Sequence, residues 1–412
     1  MPKVNLPRVP VEERDHRWRQ IRKAMQEDDL DALFVWGSNR SWGVGLANLR
    51  YLTHMGCREG VAIFPLEGNP KCFTSNPHHF QPYNWFASVQ EWVDDIEPMT
   101  GTDPIVEAMH SMGLSGANIG VVDHVGALSH HSLPYWPFKK IQDSMPRARF
   151  LDATEILEKI RMIKRPVEIE FLKKAGKIGL KMLERMIASS REGVNERVVY
   201  GDMMRELVVN GGEDYAMNLF TTGSAVDSEQ QHLLHGHEAP NSPVDRVLKK
   251  GDLVMTEYHA NYGGYLVGIE QTISVGEPPP KVLDIHKVCV EVFQEGVDSM
   301  RPGKTLRQVV DAFRAPVKRA GMEYIECGIH GHGMSSPEFP SCVYSSESDH
   351  QGLSGAGFLS MELQENMVFG TNIDVFEPKW RPDIGVMLGD TIWISKDGPQ
   401  ALCDTPLEWT SV

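Results

Sequence analysis

The chain has 412 residues, of which 41% are hydrophobic and 24% charged, a balance that suits a globular protein of two or three domains and not a disordered chain. Acids outnumber lysine plus arginine 56 to 41, and the resulting formal charge of −15 argues against nucleic-acid or anionic membrane partners. No apolar run reaches the ~20 residues of a spanning helix, no signal-like stretch opens the chain, and the six cysteines form no CxxC pair, so a cytoplasmic protein without a thiol-rich metal site is expected.

Within 12–29, Trp18, Ile21, Ala24 and Met25 fall on one stripe at helical spacing. Short apolar runs at 30–37, 60–65 and 118–123 read as strands, and their alternation with helical stretches predicts an α/β arrangement for the first 150 residues. Residues 151–189 read as two helices broken near Pro166, the first capped by Asp152 or Thr154, which divides the chain into domains 1–164 and 165–412. Beyond 190, helices near 195–210, 281–299 and 305–320 lie between glycine-rich, β-forming segments. Segment 251–276 reads as strand, Gly263-Gly264 turn, strand; 365–376 reads as a strand, and 385–402 as strand, turn, strand. Helices beside antiparallel hairpins predict an α+β second half.

The phrases RMIKRPVEIEFLKKA (161–175), GDLV…GGY…VG, LQENMVF and GVMLGDTIWISKDG resemble the pita-bread superfamily of methionine aminopeptidase, the Xaa-Pro peptidases and creatinase. The linker and the two-part layout resemble its creatinase–prolidase branch. The resemblance implies an α+β pita-bread C-terminal domain preceded by an α/β N-terminal domain. Peptidases of this fold hold two metal ions through Asp, Asp, His, Glu and Glu, which here fall on Glu257, Gly268, His330, Asn372 and Gly389. One ligand is kept, one is an acidic swap and three are lost. A divalent pair needs hard oxygen ligands, so the expectation is a metal-independent enzyme with no cofactor. Creatinase, the metal-free member of the fold, uses a strand Glu and a His from the loop before the hairpin. Its phrase falls on GGYLVGIEQT, which places Glu270 on that Glu, while the loop 232–252 offers His235 and His237, with His232 a weaker third.

Residue chemistry supports the same positions. Glu270 shares a strand face with Gly268 and Thr272, and a carboxylate in a desolvated cavity holds or passes a proton. His235 or His237 is the natural base, with His237 nearer the strand. In IHGHGMSSPEFP the glycines leave room beside His330 and His332. Glu257 and His259 share one face, as do Asn372 and Asp374, whereas Tyr262 falls on the other and Glu338 reads as framework. Arg58, in THMGCREG, offers a bidentate clamp for a substrate carboxylate, since creatinase dimers set the N-terminal domain of one subunit near the other's active site.

The expected activity is therefore a creatinase-like hydrolase or lyase cleaving a carbon–heteroatom bond, foremost C–N, of a small polar metabolite. His237, His235, Glu270 and His330 would be catalytic, and Asn372, Glu257, Arg58 and His332 would bind substrate. The expected partners are that small molecule and a second copy of the chain. Two alternatives stand beside it: an Xaa-Pro-type peptidase with a single metal held by Glu257, His330 and Glu270, and a catalytically dead binding protein.

Overall fold

The computed structural model describes residues 7–39, 44–75, 91–123, 133–213, 218–225, 243–343, 359–381 and 383–412. It divides into two compact units, Met1–Met162 and Ile163–Val412. Among the described residues no helix is long and apolar enough to cross a membrane.

In the first unit, helix α1 (Val11–Glu27) buries Trp18, Ile21 and Met25 of the predicted stripe, and the Trp18 indole N–H donates to Leu52 O at 2.9 Å. Strands β1 (Ala32–Ser38), β2 (Glu59–Pro65), β3 (Lys71–Thr74), β4 (Ile96–Pro98), β5 (Asn118–Val122) and β6 (Arg149–Asp152) form one sheet in the order β4-β3-β2-β1-β5-β6. β1 is buried along its whole length and runs antiparallel to β2 but parallel to β5, which explains its continuous apolar run. The helices are α2 (Ala47–Thr53), α3 (Asp103–Ser111), α4 (Tyr135–Ser144) and α5 (Thr154–Met162). Ile105 and Met109 of α3 and Ile141 of α4 pack on Phe34, Trp36, Ile63 and Phe73 of the sheet. Asp152 Oδ1 accepts from the Thr154 N–H at 3.0 Å where α5 begins.

The second unit has helices α6 (Pro166–Ser189), α7 (Glu196–Val209), α8 (Pro280–Ser299) and α9 (Leu306–Ala320). Pro166 opens α6 at its first turn, where its missing N–H costs nothing. Strands β7 (Asn218–Ser224), β8 (Asp252–Tyr262), β9 (Tyr265–Ser274), β10 (Glu323–Gly331), β11 (Glu338–Val343), β12 (Val368–Phe376) and β13 (Gly385–Gly389) lie in the order β11-β10-β12-β13-β9-β8-β7. The β8–β9 hairpin turns through Gly263 and Gly264, at φ 61° and 89°, values that a side chain resists.

The segment 385–402 differs from its simple strand–turn–strand expectation. It breaks at Asp390, whose carboxylate accepts the N–H groups of Thr391, Cys403 and Thr405 at 2.6, 3.1 and 2.9 Å. β13 therefore pairs with β9, while β14 (Thr391–Ser395) moves over to β12 and forms its own hairpin with β15 (Gly398–Ala401).

Helix α6 covers one face of the β8–β9 hairpin. Tyr258 donates its hydroxyl to Gly179 O at 2.8 Å, and a Cβ on Gly179 would meet Ile269 at 3.2 Å. By strand alternation Glu257, His259, Gly268 and Glu270 point to the opposite face. That face carries the candidate site.

Candidate active site

Antiparallel register sets the polar side chains of this face beside one another. Glu257 lies opposite Glu270 and His259 opposite Gly268 across β8 and β9, and Gly389 of β13 lies opposite Glu270 on its other side. Across β10 and β12, Gly328 faces Asn372 and His330 faces Gly370. Directly opposed residues project to the same side of a sheet, so five of the sequence-predicted residues come to one face: Glu257, Glu270, His330, His332 and Asn372. His232, His235 and His237 lie outside the described residues. Arg58 is exposed in the first unit, immediately before β2.

Glycines make the close packing of this face feasible. A Cβ on Gly268 would lie 3.4 Å from His259 Nε2 and 3.5 Å from His332 Nε2. On Gly370 it would come within 2.6 Å of His330 Nε2, and on Gly389 within 2.9 Å of Glu270 Oε2. Imidazoles and a carboxylate thus lean over positions that have no side chain of their own.

Three imidazoles cluster on this face, two of them stacked and the third tilted. His259 and His332 lie nearly parallel, with ring centroids 5.5 Å apart, and His330 follows at 5.2 Å. His330 Nδ1 donates to Gly331 O at 3.1 Å and His332 Nδ1 to Leu266 O at 3.0 Å, contacts that assign the ring proton to Nδ1 and leave Nε2 as acceptor. His332 is fully buried, and its Nε2 has no hydrogen-bond partner among the described residues. Burial pushes the His330 imidazole down to about 4, helped by nearby His259, and holds His332 well below the ordinary value, helped by His330 and His259. Both rings are neutral at physiological pH. His259 Nε2 pairs with Ser336 Oγ at 2.9 Å.

The other half of the face is acidic. Glu257, Glu270 and Asp374 are buried. Burial raises Glu257 to about 8, with the charge of Glu326 adding to it. Burial and then Asp374, Glu257 and Glu326 hold Glu270 well above the carboxylate range; burial, Glu326 and Glu257 do the same to Asp374. Glu326 is raised by burial, against a hydrogen bond from Asn372 Nδ2 to its Oε2 at 2.8 Å. Asn372 also bonds to His330 and so joins the two halves. Glu326 was missed by the sequence reading. Counting back by twos from His330 along β10 reaches it, although a register shift between Tyr324 and Cys327 interrupts that pairing. Glu338, read as framework, forms a buried ion pair with Lys164.

Metallopeptidase family M24 matches residues 170–396, and the Creatinase/Prolidase N-terminal domain matches residues 17–163. The chain belongs to metallopeptidase family M24. Membership makes it a hydrolase of the peptidase kind, and it corrects the expectation of metal independence, because the family is one of metal-dependent peptidases. The Xaa-Pro dipeptidase of Pyrococcus horikoshii is 27% identical over 279 residues, covering 67% of this chain and 72% of that one. The probable dipeptidase PepE of Mycobacterium tuberculosis is 26% identical over 324 residues, covering 78% and 75%. The same fold occurs in the Xaa-Pro dipeptidase from Bacillus anthracis (TM-score 0.74, 20% identity, covering 97% of this chain and 100% of that one). It also occurs in the prolidase from Pyrococcus horikoshii OT3 (TM-score 0.75, 23% identity, covering 96% and 100%).

Of the five ligand positions of a two-ion centre, Gly268, Asn372 and Gly389 of this M24 chain carry no acid or histidine. The places of the lost ligands at Gly268 and Gly389 are taken by His259, His332 and Glu270, which reach in from other positions. Among the described residues no three His, Cys, Asp or Glu side chains are gathered as a metal shell. The residues do not fit the five-ligand, two-ion arrangement, and no catalytic step is drawn through one.

Proposed function

We propose that this chain is an Xaa-Pro-type peptidase that hydrolyses the C–N bond of a small peptide-like substrate. The observation that carries the reading is the buried, partnerless Nε2 of His332 beside His330 on the face of an M24 domain. Its Nδ1–H is held by the Leu266 carbonyl, so Nε2 is oriented to accept a proton from a water attacking the scissile carbonyl. A buried imidazolium is unstable here, because burial and two neighbouring rings disfavour its charge. The ring therefore holds the proton only in passage from the water to the leaving nitrogen. Asn372, bonded to both His330 and Glu326, orients the substrate carbonyl. The Xaa-Pro preference is supported by the names of the curated relatives.

The test is an assay of Xaa-Pro against Xaa-Ala dipeptides, on chelated protein and after supply of Mn²⁺ or Zn²⁺. Cleavage of Xaa-Pro substrates is expected, with kcat/KM falling ~10²–10⁴-fold in His332→Ala, the range of general acid–base catalysis. No turnover under any condition sinks the reading. If His237→Ala abolishes turnover while His332→Ala does not, the base is in the loop instead.

A further inference from the structure

With His332 as the base of the peptidase reading, His259 is left without a task. It lies within β8, and its Nε2 pairs with Ser336 Oγ at 2.9 Å. Both residues are buried, at 2% and 6% exposure. Ser336 is 77 residues further along the chain, in the segment that leads from β10 into β11. The Leu266 N–H of β9 holds that segment in place, donating to Gly333 O at 2.7 Å. Most side-chain hydroxyls bond to backbone or water. A buried hydroxyl within reach of an imidazole nitrogen has instead the geometry of an activated nucleophile.

The same face supplies a hydrogen-bond donor. Asn261 follows His259 by two residues in β8, so its side chain projects to the same side. It is fully buried, and its Oδ1 accepts the Gly264 N–H at 3.0 Å. Its Nδ2 has no hydrogen-bond partner among the described residues. A buried amide nitrogen without an acceptor costs free energy until something supplies one. Opposite His259 stands the bare Gly268, where a Cβ would lie 3.4 Å from His259 Nε2 and 3.5 Å from His332 Nε2. The room beside the pair is therefore narrow.

We propose that Ser336 and His259 are a nucleophile–base pair that hydrolyses small esters of short acyl groups, an activity beyond the peptidase reading. Ser336 Oγ attacks the ester carbonyl carbon, and its proton passes to His259 Nε2. The carbonyl oxygen takes the electron pair of the broken π bond and accepts a hydrogen bond from Asn261 Nδ2. Collapse of this intermediate breaks the bond to the alcohol oxygen, which leaves with the proton from His259. Ser336 now carries the acyl group as an ester. Water adds to that ester and gives a proton to His259. The carboxylic acid is then released, and the proton returns to Ser336 Oγ. Water is the sole co-substrate.

The experiment is rapid mixing of the full-length protein with p-nitrophenyl acetate, followed by peptide mass mapping of the quenched protein. A burst of p-nitrophenolate of about one equivalent is expected, with an acetyl group on Ser336. Ser336→Ala should abolish both, and His259→Gln should slow acylation ~10²–10⁴-fold. Asn261→Asp keeps the acceptor for the Gly264 N–H but removes the donor, and should slow acylation ~10²–10³-fold. Ser144→Ala, exposed at the end of α4, should acylate as the unaltered protein does. The proposal is overturned if the unaltered protein gives neither burst nor adduct, if the adduct sits on other residues in place of Ser336, or if the burst survives in Ser336→Ala. Mapping is made on the unaltered protein, so it decides the matter even where a variant fails to fold. Acylation is read without any Xaa-Pro substrate, so failure of the peptidase reading is distinguished from failure of this one.

Discussion

Two regions of the molecule bury charge in opposite ways. In the first unit, Arg17 pairs with Glu13 at 3.1 Å, and Arg161 pairs with Glu158 at 3.1 Å and donates to Asn48 Oδ1 at 2.6 Å. The second unit treats its framework charges alike: Lys164 meets Glu338, and Arg246 meets Asp252 at 2.7 Å. On the candidate face the pattern reverses. Glu257, Glu270 and Asp374 are buried against one another, and the charges that shift them are other carboxylates. A buried charge with its own counterion holds elements together; like charges crowded without one oppose folding and persist where something else is to be bound.

The largest expected effect follows from breaking a paired region. Lys164→Met strands Glu338, 1% exposed, without its counterion, and should cost about 3–5 kcal/mol in chemical denaturation. A loss below about 1 kcal/mol would show that the paired and unpaired regions do not differ as described.

A second expectation separates the imidazole cluster from an exposed histidine. Burial depresses His330 from 6.5 to about 4, so its neutral form survives far below the usual range. The proposed base, His332, is likewise held well below 6.5 by burial and by His330 and His259, so the acid limb of kcat/KM should fall well under pH 6.5. A limb at 6.5 would assign the base to a solvated imidazole. The same depression acts on stability with a definite sign. A histidine whose pKa is lowered on folding stabilises the protein above pH 6.5, and that contribution is lost as pH falls toward 4.

The smallest effect sharpens the acidic side. Glu257 is raised from 4.5 to about 8, so its protonated form stabilises the fold below pH 4.5, and the contribution is lost as pH climbs through 8. In chelating buffer the melting temperature should fall between pH 6 and 8.5. Glu257→Gln should recover roughly 1 kcal/mol at the alkaline end, about 2–4 °C, and little at pH 6. An equal gain at both pH values would show that the carboxylate is not the source.

Local signals were legible where one strand or helix sufficed to carry them. The stripe of Trp18, Ile21 and Met25, the Gly263-Gly264 turn and the opening Pro166 each state their structure within a few residues. The break at Asp390 was not legible, because its cause is a carboxylate capping N–H groups 1, 13 and 15 residues away. Glu270, His330 and Asn372 were singled out through the phrases around them and lie on one sheet face, while Glu326 had no such phrase. Metal independence was inferred from the lost ligand positions, yet the family match overrules it.

By itself, then, the sequence determined the order of elements, the two-part layout and the sheet face on which the chemistry-bearing residues fall, since strand alternation is a property of the chain. Tertiary structure decided what those residues experience. Only the ladder sets Glu257 against Glu270 and lets Glu270 lean over Gly389. Only the packing withdraws His332 and the carboxylates from water and so divides one face into neutral acceptors and proton-holding acids. Burial and like-charge proximity are sums over residues distant in the chain, and no local pattern contains them.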